Sequence, residues 1–563
     1  MPHSASRGAR LAAVALAALL LVGCASIPLK GAVQQGNPVE TRDALGFDFR
    51  PQGPESGATP SEILTGFLAA GAGPQSNYEV ARSFLSSAFA GQWNPNASVL
   101  IHSRATTTVS DGDAALHLVV PATARVDDTG RYDEYASAVS TELPFSFVQE
   151  DGQWRISDAP DGIVLPRAFF DRLFEERSLY FYDPTYSYLV PDLRWFPATA
   201  DAPTRIVEAL LAGPSAPLAA PVLASAFPSG TTLERQSVAT TGGEAVVELN
   251  DTVVRADDLA QQRMQYQLSR TLVGGAILSA RISVDGSDLD IASFGSDAPT
   301  VQPLVNSRAI VGRDGAFGFL AGDDLAPVPG ISDAVAALDP TAAIFSSDSG
   351  AAAVLASGGV SYVAPGQDPV LVDPRSGLIA PTLDGNGFVW SVPRDAPLAL
   401  TATPAGGTPI GLAAPGLADA TTVISMAVSR DSARLLVLLG TADGARLRVF
   451  GIVRDTTGAP AGLSTTAFEL VPPSDEPLAA TWVTDGTVAS LGRNPEGAST
   501  VTTQEVGGQR SDVLGEVDDA VALVGGNGLS GLRLLTADGS VQVLRGSGWQ
   551  PTAAGVAFLA SQR

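Results

Sequence analysis

Residues 11–22 form an unbroken run of Leu, Ala and Val behind a short polar start that carries Arg7 and Arg10. A charged start followed by about a dozen apolar residues predicts an export leader over 1–23, because such a run is too short to span a bilayer comfortably. Residues 24–59 are rich in Gly, Pro, Gln and charge and show little periodicity, which predicts a tether. Roughly thirty-five flexible residues reach about 30–35 Å. The pattern then turns helical. Residues 61–68 predict a short helix, and Tyr78, Ala81, Leu85, Ala88 and Phe89 fall on one face of a second. After Asn94-Pro95-Asn96 the period drops towards two, predicting strands over 98–108, 114–126, 135–149 and 153–156. Two helices followed by antiparallel strands make an α+β domain over 60–175.

A second α+β pattern covers 179–299. Strands at 179–182 and 188–190 flank an Asp183-Pro184 turn. Thr204 is a candidate cap for a helix with Ile206, Val207, Leu210 and Leu211 inward, stopped by Gly213-Pro214. A strand at 245–249 precedes a long helix after Asp257-Asp258, with Met264, Leu268 and Leu272 inward, and residues 280–286 close the unit. From 306 to 563 helical periodicity nearly vanishes. Short Val/Leu/Ala strands alternate with turns at Asp314-Gly315, Asp348-Ser349-Gly350, Asp384-Gly385, Arg430-Asp431-Ser432, Asp485-Gly486 and Asp538-Gly539. Spacings of about 35 to 55 residues are those of propeller blades, predicting a β-propeller of six or seven, with a pair of β-sandwiches as the alternative.

Several of these stretches resemble known families. Leu21-Val22-Gly23-Cys24 resembles a lipobox, which implies a diacylglyceryl thioether and an N-acyl group such as palmitate on Cys24. Cys24 is the sole cysteine, so an exported chain has no internal disulfide to make of it. The first domain resembles an NTF2-like cone, with Asp151-Gly152-Gln153-Trp154-Arg155-Ile156 as its closing hairpin. Leu210-Leu211-Ala212-Gly213-Pro214, Phe227-Pro228-Ser229-Gly230-Thr231 and Val284-Asp285-Gly286 make the second similar to a GerMN domain. Lipobox, α+β domain, GerMN-like domain and propeller, in that order, resemble the LpqB-type lipoproteins of actinobacteria over essentially the whole chain. That resemblance implies a lipoprotein anchored on the extracytoplasmic face of the cell membrane. It also implies a partner, the extracellular sensor region of the MtrB histidine kinase, and with it modulation of a two-component system that governs cell-wall homeostasis and division.

Composition narrows the chemistry. Loss of Arg7 and Arg10 with the leader takes the net charge from −25 to −27, which argues against nucleic acid as a partner. The only lysine, Lys30, lacks the context of a P-loop, a pyridoxal Schiff base or a kinase fold, and no cofactor is expected. His102 and His117 fall on predicted strands without a third ligand, so ordinary strand histidines are expected and no metal site. Asp285, Asp288 and Asp290 lack calcium-loop spacing and read as a solvated turn. Asp323-Asp324 and Asp518-Asp519 are neighbours that a strand would send to opposite faces. Gly528-Leu529-Ser530-Gly531 breaks the nucleophile-elbow pattern at Leu532. Tyr180, Phe181, Tyr182, Tyr186, Tyr188 and Trp195 are either a binding cluster or the core that joins the first two domains. These residues predict a binding and regulatory protein, not an enzyme. The alternative is a binder of cell-wall glycan or a small ligand in the propeller channel.

Overall fold

A capping box starts the first domain. Thr59 N–H donates to Glu62 Oε2 at 2.8 Å, and Glu62 N–H donates back to Thr59 Oγ1. With Pro60 in the first turn, this launches α1 (Pro60–Ala70), whose Ile63, Leu64, Phe67 and Ala70 are buried at helical spacing. The computed structural model describes residues 51–322, 324–455, 457–473 and 476–563. The predicted leader, the lipobox Leu21-Val22-Gly23-Cys24, most of the tether and Asp323 lie outside the described residues.

The second predicted helix is a single turn, α2 (Glu79–Arg82). Ser86 N–H donates to Ile156 O, and Ile156 N–H to Phe84 O, so backbone bonding to another segment replaces the helical ladder. Tyr78, Ala81 and Leu85 are still buried, whereas Ala88 is exposed. The strand expected over 98–108 is two, β1 (Ser98–His102) and β2 (Thr107–Ser110). β3 (Ala115–Asp127), β4 (Tyr132–Glu150) and β5 (Gln153–Asp158) follow as expected. β6 (Ile163–Pro166) and α3 (Arg167–Leu173) are additions. The sheet order is β5-β4-β3-β1-β6, with β2 on β3 and β6 parallel to β1.

A slip in the β1–β3 register gives this sheet two cores. Ile101 pairs with Ala124 and His102 with Ala122, so the two alanines point to opposite faces, and both are fully buried. On one face Phe145, paired with Leu116, meets Phe67 of α1. On the other, Tyr132, paired with Val126, stacks on Phe170 of α3.

The middle domain opens with an antiparallel hairpin, β7 (Phe174–Tyr182) and β8 (Leu189–Pro197). Asp183 fixes its turn by accepting from Thr185 N–H at 3.0 Å and Tyr188 N–H at 2.7 Å. α4 (Ala202–Ala212) begins one residue after Asp201; Thr204 is inside it, not a cap, and its hydroxyl accepts from Val238 N–H. β9 (Ala239–Thr241), β10 (Glu244–Glu248), β11 (Ser279–Val284) and β12 (Ser287–Asp288) form a sheet in the order β12-β11-β10-β9. Parallel β10 and β11 are joined through α5 (Asp258–Leu272), which Asp257 caps by accepting from Ala260 N–H. Met264, Leu268 and Leu272 are buried as their spacing requires.

The last part is a propeller of six four-stranded blades, not two sandwiches. Its inner strands, in ring order, are Ala342–Phe345, Thr382–Leu383, Ala420–Val428, Glu476–Trp482, Ala520–Val524 and Val556–Gln562. Each touches the next, and the last returns to the first. The ring is fastened where Val556–Gln562 pairs with Ile310–Arg313, so strands from opposite ends of the domain share one blade and few edges stay open. The recurring turns divide into two kinds. Those at Asp348, Asp384, Asp431 and Asp485 follow an inner strand, whereas Asp314-Gly315 and Asp538-Gly539 join second and third strands at the other end of their blades.

The middle domain and the propeller are not separate bodies. One apolar cluster runs from Leu179, Phe181 and Leu210 into Leu436, Leu438, Phe468 and Trp482. At Gly451 a Cβ would lie 2.4 Å from Pro217 O, which measures how closely the two backbones approach.

Candidate functional site

The hairpin β7–β8 is the element that every domain touches, and its sequence shows why. The burial of Leu189–Pro197 does not alternate: nearly every residue is buried, as in a strand covered on both faces. Asp192 and Arg194 lie within it at 1% and 2% exposure. They pair at 2.6 Å through Arg194 Nη2 and Asp192 Oδ2. Asp192 also accepts from Ser215 N–H at 2.7 Å and from Ser215 Oγ at 3.0 Å. Arg194 Nη1 donates to Thr129 O of the first domain at 2.7 Å. A buried ion pair stabilises little by itself, but removing one partner strands a charge, so this pair fixes the relative placement of three segments.

Trp195 carries the connection further. Its ring packs on Tyr132 (5.5 Å) and Phe170 (5.0 Å) of the first domain, and its indole N–H donates to Gly507 O of the propeller. Beside it Arg510 N–H donates to Glu134 Oε2 and Gln509 Nε2 to Asp171 Oδ1. The aromatic cluster is therefore largely core. Phe181 and Tyr182 are fully buried, while Tyr186 lies at the hairpin tip under the Arg263 guanidinium.

Tyr180 and Pro191 of the hairpin face the propeller's inner corners across a crevice of about 400 Å³ that also meets Arg430, Asp485 and Asn527. Those corners hold matched charges. Asp384 takes Arg454 at 2.8 Å and the indole of Trp390 at 3.1 Å. Asp431 takes Arg434, which also donates to Asp485 O and lies 4.9 Å over the ring of Trp482. Arg563 donates to Arg430 O and Ser432 Oγ. Burial lowers the pKa of Arg563 and Arg430 and raises that of Asp485. Asp384 and Asp431, engaged by arginine in this way, do not present a pair of free carboxylates for acid–base work. In the adjoining groove Glu505 is pushed up to about 7, first by burial and then by the carboxylate of Glu176 on β7.

The remaining sequence candidates scatter. His102 Nδ1 bonds Arg104 O at 2.7 Å. His117 lies near Asp111 (3.4 Å) and Glu142 (3.8 Å) on an exposed face. Among the described residues no three His, Cys, Asp or Glu side chains come together as a metal site. Asp285 and Gly286 are a left-handed turn between β11 and β12, and Asp288 pairs with Arg281. Asp518 ends a strand and Asp519 takes positive φ. Leu529–Gly531 is a single 3-10 turn. The expected lipobox residues Leu21, Val22, Gly23 and Cys24 lie outside the described residues. Sequence reasoning missed Asp192, Arg194, Glu505 and Gly507; the only signal was two charges inside an otherwise apolar strand.

Three family models match. Residues 53–171 match the LpqB lipoprotein N-terminal domain, 178–290 the Germane domain of sporulation and spore germination, and 315–558 the LpqB lipoprotein beta-propeller domain. A "Lipoprotein LpqB" from Cutibacterium acnes is 31% identical over 52% of this chain, and the chain spans about half of that relative (49%). One from Streptomyces coelicolor is 26% identical over 89% of each chain. Among solved structures, TolB from Acinetobacter baumannii aligns over 45% of this chain and 66% of its own at 12% identity, with a TM-score of 0.33. Among the described residues no helix is long and apolar enough to cross a membrane.

Proposed function

Because this chain belongs to the LpqB lipoprotein family, we propose that it is an extracytoplasmic binding protein, held on the cell membrane by acyl groups on Cys24. In this reading residues 1–23 are an export leader ending in the lipobox Leu21-Val22-Gly23, and 24–59 are a tether. The working body is an NTF2-like domain (60–175), a GerMN-like domain (179–299) and the propeller (306–563). The partner is the extracellular sensor region of an MtrB-like histidine kinase, and binding modulates a two-component system controlling cell-wall homeostasis and division. No cofactor enters the scheme, and the chain acts without catalysis.

One observation carries the choice of a protein partner over a glycan in the propeller channel. The hairpin β7–β8 stands over the face bearing the inner corners, and Asp431 and Asp384 there are already held by Arg434 and Arg454. A channel that serves as a sugar site needs an open mouth with convergent polar or aromatic groups. With that mouth covered, recognition falls to the outer surfaces of a body whose domains are locked together, which suits a rigid docking platform.

The test is affinity capture of envelope proteins with the soluble body (residues 30–563), followed by titration against the purified sensor region of the kinase. Recovery of the kinase with saturable binding is expected. A folded body that captures no sensor kinase overturns the assignment.

A further inference from the structure

The first domain contains a cavity of about 260 Å³ between α1 and the sheet face formed by β1, β3 and β4. Phe67, Leu100, Leu143 and Phe145 supply an apolar wall. At about 30 Å³ per water-sized group, the space suits a chain on the order of nine heavy atoms. Polar side chains, among them Arg125, Tyr135 and Thr141, also belong to the lining. Arg125 is exposed, and its guanidinium makes no hydrogen bond or ion pair among the described residues, unlike those of Arg131 and Arg167, which pair with Asp133 and Glu134. Its charge is felt by Tyr135, another wall residue. A further polar feature is Trp93. Its ring is part of the wall at 2% exposure, and its indole N–H is buried without an acceptor. The one carboxylate in the lining, Asp161, is already engaged by Asn94 N–H at 2.8 Å.

We propose that this cavity binds a single-chain amphiphile, its alkyl chain against Phe67, Leu100, Leu143 and Phe145 and its anionic head, carboxylate or phosphate, against Arg125. An apolar body with one unpaired cation at the wall selects that ligand by the usual division of labour in small-molecule sites: the chain supplies affinity and the head fixes orientation.

The test uses the full chain carrying Cys24→Ser, so that neither anchor nor detergent competes. Octanoate, octyl phosphate, octanol and octyltrimethylammonium are titrated by calorimetry and by tryptophan fluorescence. Saturable one-to-one binding of octanoate or octyl phosphate is expected, at least tenfold tighter than octanol or the cation. Preference for octanoate assigns a free fatty acid, and preference for octyl phosphate a phospholipid-derived chain. Arg125→Gln, at an exposed position, should reduce the anion to the affinity of octanol with thermal stability unchanged, and Leu143→Trp should abolish binding of both. Absence of saturable binding by either anion, or affinities unmoved by Arg125→Gln, overturns the proposal.

Discussion

Trp195 donates its indole N–H to the carbonyl of Gly507 at 3.0 Å, in a buried bond between residues 312 positions apart. Gly507 is required twice over: its φ is +86°, and a Cβ there would lie 2.9 Å from Leu193 O on the same hairpin. One strand of the middle domain is thereby pinned to the propeller while its tryptophan ring fills the first domain. Trp195→Phe keeps most of the ring packing and removes the donor, so a loss of about 1–2 kcal/mol is expected in denaturant unfolding of the soluble body. Trp195→Ala should cost about 3–5 kcal/mol.

The middle domain also approaches the propeller backbone closely at Gly451. Gly451→Val would place side-chain atoms where Pro217 O and Val222 now sit, so either the loop or the strand must move. Amide hydrogen exchange should speed up over 215–223, while the first domain's sheet keeps its protection. Unchanged exchange in that loop would contradict the packing described.

Asp192→Ala leaves the Arg194 guanidinium buried without its carboxylate and frees Ser215 N–H, so a loss of about 3–5 kcal/mol is expected. The double variant Asp192→Leu with Arg194→Met removes both charges and should be distinctly less damaging than Asp192→Ala alone. Equal losses in the two would show that packing, not the stranded charge, dominates.

Stability should depend on pH through Glu505. Its pKa is raised from the ordinary 4.5 to about 7 by burial and by Glu176, with Asp485 adding to the repulsion. Between those values the unfolded chain has lost the proton that the folded chain still holds, so stability falls as pH rises from about 4.5 to about 7. Thermal melts across that window should show the fall, and Glu505→Gln should flatten it. A Glu505→Gln profile with the same slope would place the dependence elsewhere.

Membrane attachment is predicted to depend on one sulfur. Cys24→Ser should move the protein from the membrane fraction to the soluble fraction, and mass spectrometry of native material should find Cys24 as the acylated N-terminus. An unmodified thiol, or a retained leader, would remove the basis for the proposed location.

Much of the local structure was legible because it depends on neighbours in the chain. The Pro60 helix, the long strands of the first domain and the Asp257-capped helix follow from periodicity and capping chemistry, which need no tertiary partner. The recurrence of Asp-containing turns was enough to indicate a propeller. It could not tell a corner after an inner strand from one between second and third strands, since both require the same tight turn. The second helix failed for a related reason: Ile156, some seventy residues away, offered Phe84 and Ser86 better backbone partners than the next helical turn did.

What the sequence determined by itself, then, is the order and kind of elements and the repeat that winds them into blades. All of these are set by local conformational preference and by the spacing of apolar residues. Only the tertiary structure decided that the hairpin carrying Asp192, Arg194 and Trp195 joins all three domains and covers the propeller's corners, and that Glu505 meets Glu176. Such pairings join residues up to hundreds of positions apart. Their energy comes from burial and desolvation that exist only once the domains have met, so nothing in the spacing of the chain records them.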